Sequence, residues 1–148
     1  MEVKELGHLV LYVHDVKRSA EFYGDVLGWK RISPEGLPVA AFSSGRTHHE
    51  LLLIEVGPDA QDLPRGPHVG LYHFGLKVAD SDEELRGVLA HIREHGVKLT
   101  GTADHTVTHS LYIEDPDGNE IELYSDVADA DWRSDPHLLL SPIRPLAL

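Results

Sequence analysis

The same order of sequence patterns runs through this chain twice, and that repeat constrains the fold more than any single motif. In the first pass, "GHLVLYV" (Gly7 to Val13) alternates as a strand does. "DVKRSAEFYGDVLG" then spaces Val16, Ala20, Phe22, Tyr23, Val26 and Leu27 as one face of a helix, entered at Asp15 as N-cap and stopped by Gly28. Three short strand candidates follow, "WKRIS", "PVAAFSS" and "HHELLLIEV", separated by Pro and Gly. In the second pass come a strand "YHFGLKV" (Tyr72 to Val78), a helix "SDEELRGVLAHIREHG" (Ser81 to Gly96), and strands "VKLTG", "HSLYIED" and "NEIELYS". That helix opens on a capping box, Ser81 with Glu84 three residues on. Setting His8 over His73 also aligns Val13 with Val78 and Asp15 with Asp80, an offset of 65 residues. The expected fold is α+β: two tandem β-α-β-β-β modules within a single domain spanning 1–148. Module one covers 5–57, a Pro- and Gly-rich linker 58–69, module two 70–126 and a C-terminal tail 127–148.

The alternation decides which residues share a face. In the first strand Leu9, Leu11 and Val13 fall together, leaving His8, Val10 and Tyr12 opposite. In "YHFGLKV" the apolar face is Phe74, Leu76 and Val78, leaving His73, Gly75 and Lys77. In "NEIELYS" Ile121 and Leu123 share one face, and Glu120, Glu122 and Tyr124 the other. If each apolar face packs under its own helix, His8, His73 and one of the two glutamates all turn away from the helices. Either that face is simply wet or it lines a site. If the two sheets curl toward one another, two imidazoles and one carboxylate enclose a common cleft, the facial arrangement that holds non-haem iron(II) with coordination positions left open.

Composition excludes other classes. The net charge of −12 opposes nucleic acid and anionic membrane as partners. Without cysteine there are no disulfides, thiolate metal sites or cysteine nucleophiles, and a reducing cytosol is the expected setting. The N-terminus lacks a signal-peptide pattern and no apolar run reaches transmembrane length, so cytoplasmic localisation is the default expectation. Eleven histidines remain the compositional oddity, spread through the pattern rather than gathered in a run.

Three segments, "GHLVLYVHDVKRSAEFYGDVLGWK", "YHFGLKVAD" and "LYIEDPDGNEIELYSD", resemble the vicinal oxygen chelate superfamily over roughly residues 5 to 126. That superfamily contains glyoxalases, extradiol dioxygenases, epimerases and antibiotic-resistance proteins. The resemblance implies paired β-α-β-β-β modules curled into a half-barrel around a divalent metal. It implies His8, His73 and Glu122 as ligands, with Glu120 a rim carboxylate, because the family's ligand lies in the "IEL" step. Within the superfamily the chain is most similar to extradiol catechol dioxygenases. "HHELLLIEV" resembles the strand whose histidine stands beside the metal without ligating it, here His49. "DHTVTHSLYIEDPDGNEIELY" resembles their closing hairpin, implying His105 and Tyr112 as catalytic residues, with His109 as an additional histidine that competes with His105 for its place. The acidic, Trp-containing tail also resembles theirs.

The implied activity is extradiol cleavage of a catechol-type aromatic with dioxygen, using iron(II); Mn(II), Ni(II) or Zn(II) suit the same donors. Two neutral histidines and one carboxylate leave iron(II) one net positive charge and room for a chelating catechol. The reaction needs a base for the catechol proton and an acid for oxygen, and histidine titrates in the useful range. Such dioxygenases typically carry a further pair of modules, so the likeness is to their metal-bearing half. The rival implied by the same superfamily is a glyoxalase-type lyase. Its metal takes a further ligand from the last strand of module one, where this chain has "LLL" flanked by Glu50 and Glu55. A fosfomycin-inactivating thiol transferase shares the His, His, Glu layout but has a hydroxyl residue where this chain has Val10. A homodimer is expected, since half-barrels leave open edges and the tail offers Leu138 to Leu140 and Ile143 to cover one.

Overall fold

The computed structural model describes residues 1–148. The chain forms two compact units, Met1–Leu63 and Pro64–Leu148. The boundary lies within the 58–69 segment.

In the first unit, β1 (Leu9–Val13), β2 (Val39–Phe42) and β3 (Leu51–Glu55) form an open sheet of order β1-β3-β2, with β1 and β3 parallel. Helix α1 (Val16–Glu21) starts where Asp15 accepts the Arg18 N–H at 3.0 Å, a cap worth about 1 kcal/mol. It runs on into a π-helical turn, Phe22–Val26, before Gly28 ends it at φ 68°. Leu11, Val13, Ala40, Phe42, Leu51 and Leu53 are buried with Val16, Ala20, Phe22 and Tyr23 of the helix. Val10 and Tyr12, on the other face of β1, are 42% and 72% exposed, as the alternation requires.

One strand expectation fails here. "WKRIS" makes only a single bridge, Arg31 to Phe42, rather than a strand. Ile32 N–H still reaches the Ala41 carbonyl at 2.8 Å, but the Ala41 N–H is taken at 3.0 Å by the Ser33 hydroxyl instead of a backbone carbonyl. A side chain thus replaces the ladder, and Pro34 prevents its resumption.

In the second unit, β4 (His73–Ala79), β5 (Leu99–Asp104), β6 (Thr108–Glu114) and β7 (Glu120–Asp126) form an open sheet of order β4-β7-β6-β5. Helix α2 (Asp82–Glu94) lies against β4 and β7. The capping box is present in slightly altered form. Ser81 accepts the Glu84 N–H at 3.2 Å, while Glu84 reaches back to the N–H of Asp80 rather than Ser81, at 2.8 Å. Leu111, Ile113, Ile121 and Leu123 are fully buried with Leu85 and Ile92, each such side chain contributing about 1.5–3 kcal/mol of burial.

Strand β4 departs from the expected alternation at its end. A bulge between Lys77 and Ala79 shifts the register, so Val78 is 36% exposed and Ala79 is the buried residue. The apolar residues of the tail are not covered within the chain. Pro136–Leu140 forms a 3₁₀ turn whose Leu139 and Leu140 stay 56% and 81% exposed, and Ile143 is 67% exposed. What ties the tail down is polar. Asp104 and Arg144 exchange both backbone hydrogen bonds, at 2.9 and 3.0 Å, and their side chains pair at 3.0 Å. No helix is long and apolar enough to cross a membrane.

Candidate functional site

The hairpin "EDPDGNE" fixes the register that places the carboxylates. Asp115 is buried; its Oδ1 accepts the N–H groups of Asp117 (2.9 Å) and Asn119 (2.8 Å), and its Oδ2 accepts the Asn119 side-chain amide at 2.8 Å. Gly118 takes the φ of 89° that closes the turn. The β6–β7 pairing then sets Tyr112 opposite Glu122, and the parallel β4–β7 pairing sets His73 opposite Glu120 and Gly75 opposite Glu122. All of these residues lie on the face turned away from α2.

Glu122 is the centre of this face, with only 16% of its side chain exposed. Its Oε1 accepts the Ser110 hydroxyl at 2.6 Å and the Tyr112 hydroxyl at 3.4 Å. Its Oε2 faces His73 Nε2 at 3.4 Å. Tyr112 Oη also meets His105 Nε2 at 2.7 Å. The hydroxyl has one proton. Donated to Glu122, it receives the His105 Nε2–H; donated to His105, it leaves Glu122 Oε1 to Ser110. Burial, then the charge of Glu122, pushes the Tyr112 hydroxyl up to about 12, so it stands as a neutral donor at ordinary pH.

His105 sits just beyond β5, where the following residue, Thr106, holds φ 73°, a strained conformation for a β-branched side chain. His109, the competing candidate, points the other way: its Nδ1 binds Asp82 Oδ1 at 2.6 Å, at the start of α2. Successive residues of β6 alternate, so Ser110 and Tyr112 face Glu122 while His109 cannot.

Two further residues shape the face. A Cβ on Gly75 would lie 3.2 Å from the Tyr124 ring and 3.5 Å from Glu122 Oε2, so glycine lets both approach β4. Tyr72 stacks edge-on against His73, ring centroids 4.6 Å apart. The Glu120 charge, with burial and a hydrogen bond to the same carboxylate, pushes the Tyr72 hydroxyl up. Neither Ser110 nor Gly75 was singled out from the sequence. Both lie two positions from a predicted residue on the same strand, Tyr112 and His73, and the alternation alone points to them.

In the first unit, His8 and His49 lie side by side at the head of β1 and β3, ring centroids 4.5 Å apart, because Leu9 N–H bonds the Glu50 carbonyl at 2.8 Å. His48 Nδ1 and His49 Nδ1 are 2.6 Å apart, a contact that requires one to donate and the other to accept. Burial first, then His48 and His8, holds His49 below the usual histidine range, so its ring is neutral at pH 7. Glu50 and Glu55 are already engaged. Glu50 accepts the N–H groups of Ser44 (2.8 Å) and Thr47 (3.2 Å), and Glu55 accepts that of Val16 (2.9 Å).

Within either unit, no three His, Asp or Glu side chains converge as a complete metal site. The His73–Glu122 pair nevertheless suits two ligands of one ion. Two donors each about 2.1 Å from an ion, at about 90 to 110°, lie about 3.0 to 3.4 Å apart.

Residues 5–123 match the glyoxalase/bleomycin resistance protein/dioxygenase superfamily. The chain belongs to this superfamily. It is 35% identical over 134 residues to the catechol-2,3-dioxygenase of Bacillus subtilis (strain 168), covering 90% of this chain and 46% of that protein. It is 33% identical over 129 residues to the probable lactoylglutathione lyase of Synechocystis sp., covering 80% of this chain and 92% of that one. The chain therefore spans less than half of the dioxygenase and nearly all of the lyase. Among solved structures, a lactoylglutathione lyase from Agrobacterium tumefaciens superposes with a TM-score of 0.64 at 26% identity, over 84% of this chain and 95% of that one. The superfamily thus accounts for the two open sheets and few helices, and it houses both candidate chemistries.

Proposed function

We propose that the chain is an iron(II)-dependent extradiol dioxygenase that opens a catechol-type ring with dioxygen, using His8, His73 and Glu122 as metal ligands. The observation that carries this reading is the environment of Glu122. One oxygen is held by Ser110 and Tyr112, while the other faces His73 Nε2 at 3.4 Å. Tyr112 and His105 are hydrogen-bonded beside it at 2.7 Å, as a reaction on a substrate hydroxyl requires. The 35% identity to a catechol-2,3-dioxygenase supports the same choice.

Bound iron would supply the redox-active centre that lets dioxygen react with an aromatic ring. The chain's own groups do the rest. Ser110 fixes the Glu122 carboxylate by charge-assisted hydrogen bonding. The neutral Tyr112 hydroxyl donates to negative charge developing on a substrate oxygen. His105 Nε2, in contact with that hydroxyl, receives or returns a proton through it. His49, neutral at pH 7, takes the part of the second acid/base group.

Metal binding to the variants tests the ligand set. By equilibrium dialysis under anaerobic conditions, wild type should hold about one iron per chain. His8→Ala, His73→Ala and Glu122→Ala should each lose it, because removing a ligand leaves an incomplete site. His49→Phe should keep iron and slow turnover by roughly a hundredfold. Full iron occupancy in Glu122→Ala would contradict the ligand set.

One observation favours a second reading, a glyoxalase-type lyase: the chain spans 92% of a probable lactoylglutathione lyase. Against it, both oxygens of Glu50 accept backbone N–H groups, and Glu55 accepts the Val16 N–H through Oε2, so neither glutamate stands uncommitted. Turnover of a thiohemiacetal with nickel or zinc, without oxygen uptake, distinguishes it.

A further inference from the structure

The imidazole of His73 stands between two carboxylates, one at each ring nitrogen. Nε2 faces Glu122 Oε2 and Nδ1 faces Glu120 Oε1, both at 3.4 Å. The two contacts differ in what surrounds them. His73 Nδ1 and Glu120 Oε1 are each sealed from solvent, and neither has an aligned hydrogen bond to any other group. Buried polar atoms are nearly always paired, and each of these has the other as its neighbour. Backbone pairing holds them there, since His73 and Glu120 are register partners on the parallel strands β4 and β7. Tyr72 packs its ring against the same imidazole. The separation of His73 Nδ1 and Glu120 Oε1, 3.4 Å, is close to hydrogen-bond distance.

We propose that Glu120 is a positioning residue for His73: it accepts the Nδ1–H, fixes that tautomer, and so presents the Nε2 lone pair toward Glu122. This rests on the reading of His73 as a metal ligand, and it changes Glu120 from a rim carboxylate to a working part of the site. A ligating histidine whose other nitrogen donates to a carboxylate is held in orientation and made more basic. The spacing explains why the alternation "NEIEL" carries two glutamates on one face. Glu122 serves the ion and Glu120 serves the histidine opposite it.

The test reads the ring before it reads the metal. In metal-free, ¹⁵N-labelled wild type, at a pH where imidazole is neutral, two-bond ¹H–¹⁵N correlations should show His73 protonated at Nδ1. Glu120→Ala should lose that preference, and Glu120→Gln, which keeps a carbonyl acceptor, should retain it. Zinc affinity by chelator competition should fall about 10- to 100-fold in Glu120→Ala and recover most of the way in Glu120→Gln. A wild-type His73 protonated at Nε2, or a Glu120→Ala protein with unchanged tautomer and affinity, overturns the proposal. If wild type holds no metal at all, the ligand reading fails, yet the tautomer still decides whether Glu120 orients the ring.

Discussion

Gly75 has no chemistry of its own, yet the approach of Glu122 and Tyr124 to β4 depends on it. Adding a methyl puts carbon 3.2 Å from the Tyr124 ring and 3.5 Å from Glu122 Oε2, so the half-buried ring must shift and the carboxylate with it. Gly75→Ala should fold, with a stability loss of about 1 kcal/mol, and should lower zinc affinity roughly tenfold. Chelator competition measures it; unchanged affinity would mean that Glu122 is free to adjust. At this scale much was legible in the sequence. Period-two alternation puts His73, Gly75, Glu120 and Glu122 on one face, and each is found there. The choice between His105 and His109 was half legible. Alternation from Tyr112 turns His109 away, as its bond to Asp82 bears out. His105 lies beyond the strand, where alternation says nothing of its approach to Tyr112.

Among the elements, the β6–β7 hairpin has the clearest energetic signature. Asp115 accepts three short hydrogen bonds while buried, so Asp115→Ala leaves two backbone N–H groups in the turn without their acceptor. The expected loss is about 2–3 kcal/mol by urea unfolding, and a change under about 0.5 kcal/mol would contradict the assigned role. The turn was predictable from Pro, Asp and Gly; the bulge in β4 and the loss of the "WKRIS" strand were not. Both arise from local competition, a register slip and a serine hydroxyl in place of a carbonyl, to which hydrophobic periodicity is blind.

The β5-to-tail connection makes a pH prediction. The Thr106 N–H, then Arg144, holds the Asp104 carboxyl below its usual range, partly offset by burial. A depressed carboxylate contributes stability above its unfolded pKa and loses it as pH falls through the lower, folded value. The Arg144 amide resonance should therefore stay constant down to the ordinary Asp range, about pH 4, and move only below it. Asp104→Asn should abolish the step. A step above the ordinary range would show that the pairing does not stabilise the charged form.

For the whole molecule, the tail is tied to β5 by polar pairing while its apolar side chains stay uncovered. Leu139, Leu140 and Ile143 remain exposed. Apolar groups left this open favour association, and we expect a homodimer. Light scattering should give a dimer for the full chain and a monomer after removal of residues 127–148. A monomer in both cases removes the expectation. The tandem repeat made the α+β architecture readable from the order of elements, whereas the tail, having no periodicity, could be placed only as an apolar segment in need of a partner.

An oxygen electrode tests the dioxygenase reaction most directly. Iron(II)-loaded protein given a small panel of catechols should consume about one dioxygen per catechol and form a yellow ring-cleavage product. Glu122→Ala, treated identically, should consume none above background. No uptake with any catechol by iron-loaded wild type, alongside isomerase turnover with nickel or zinc, would contradict the dioxygenase assignment and leave the superfamily and the fold intact.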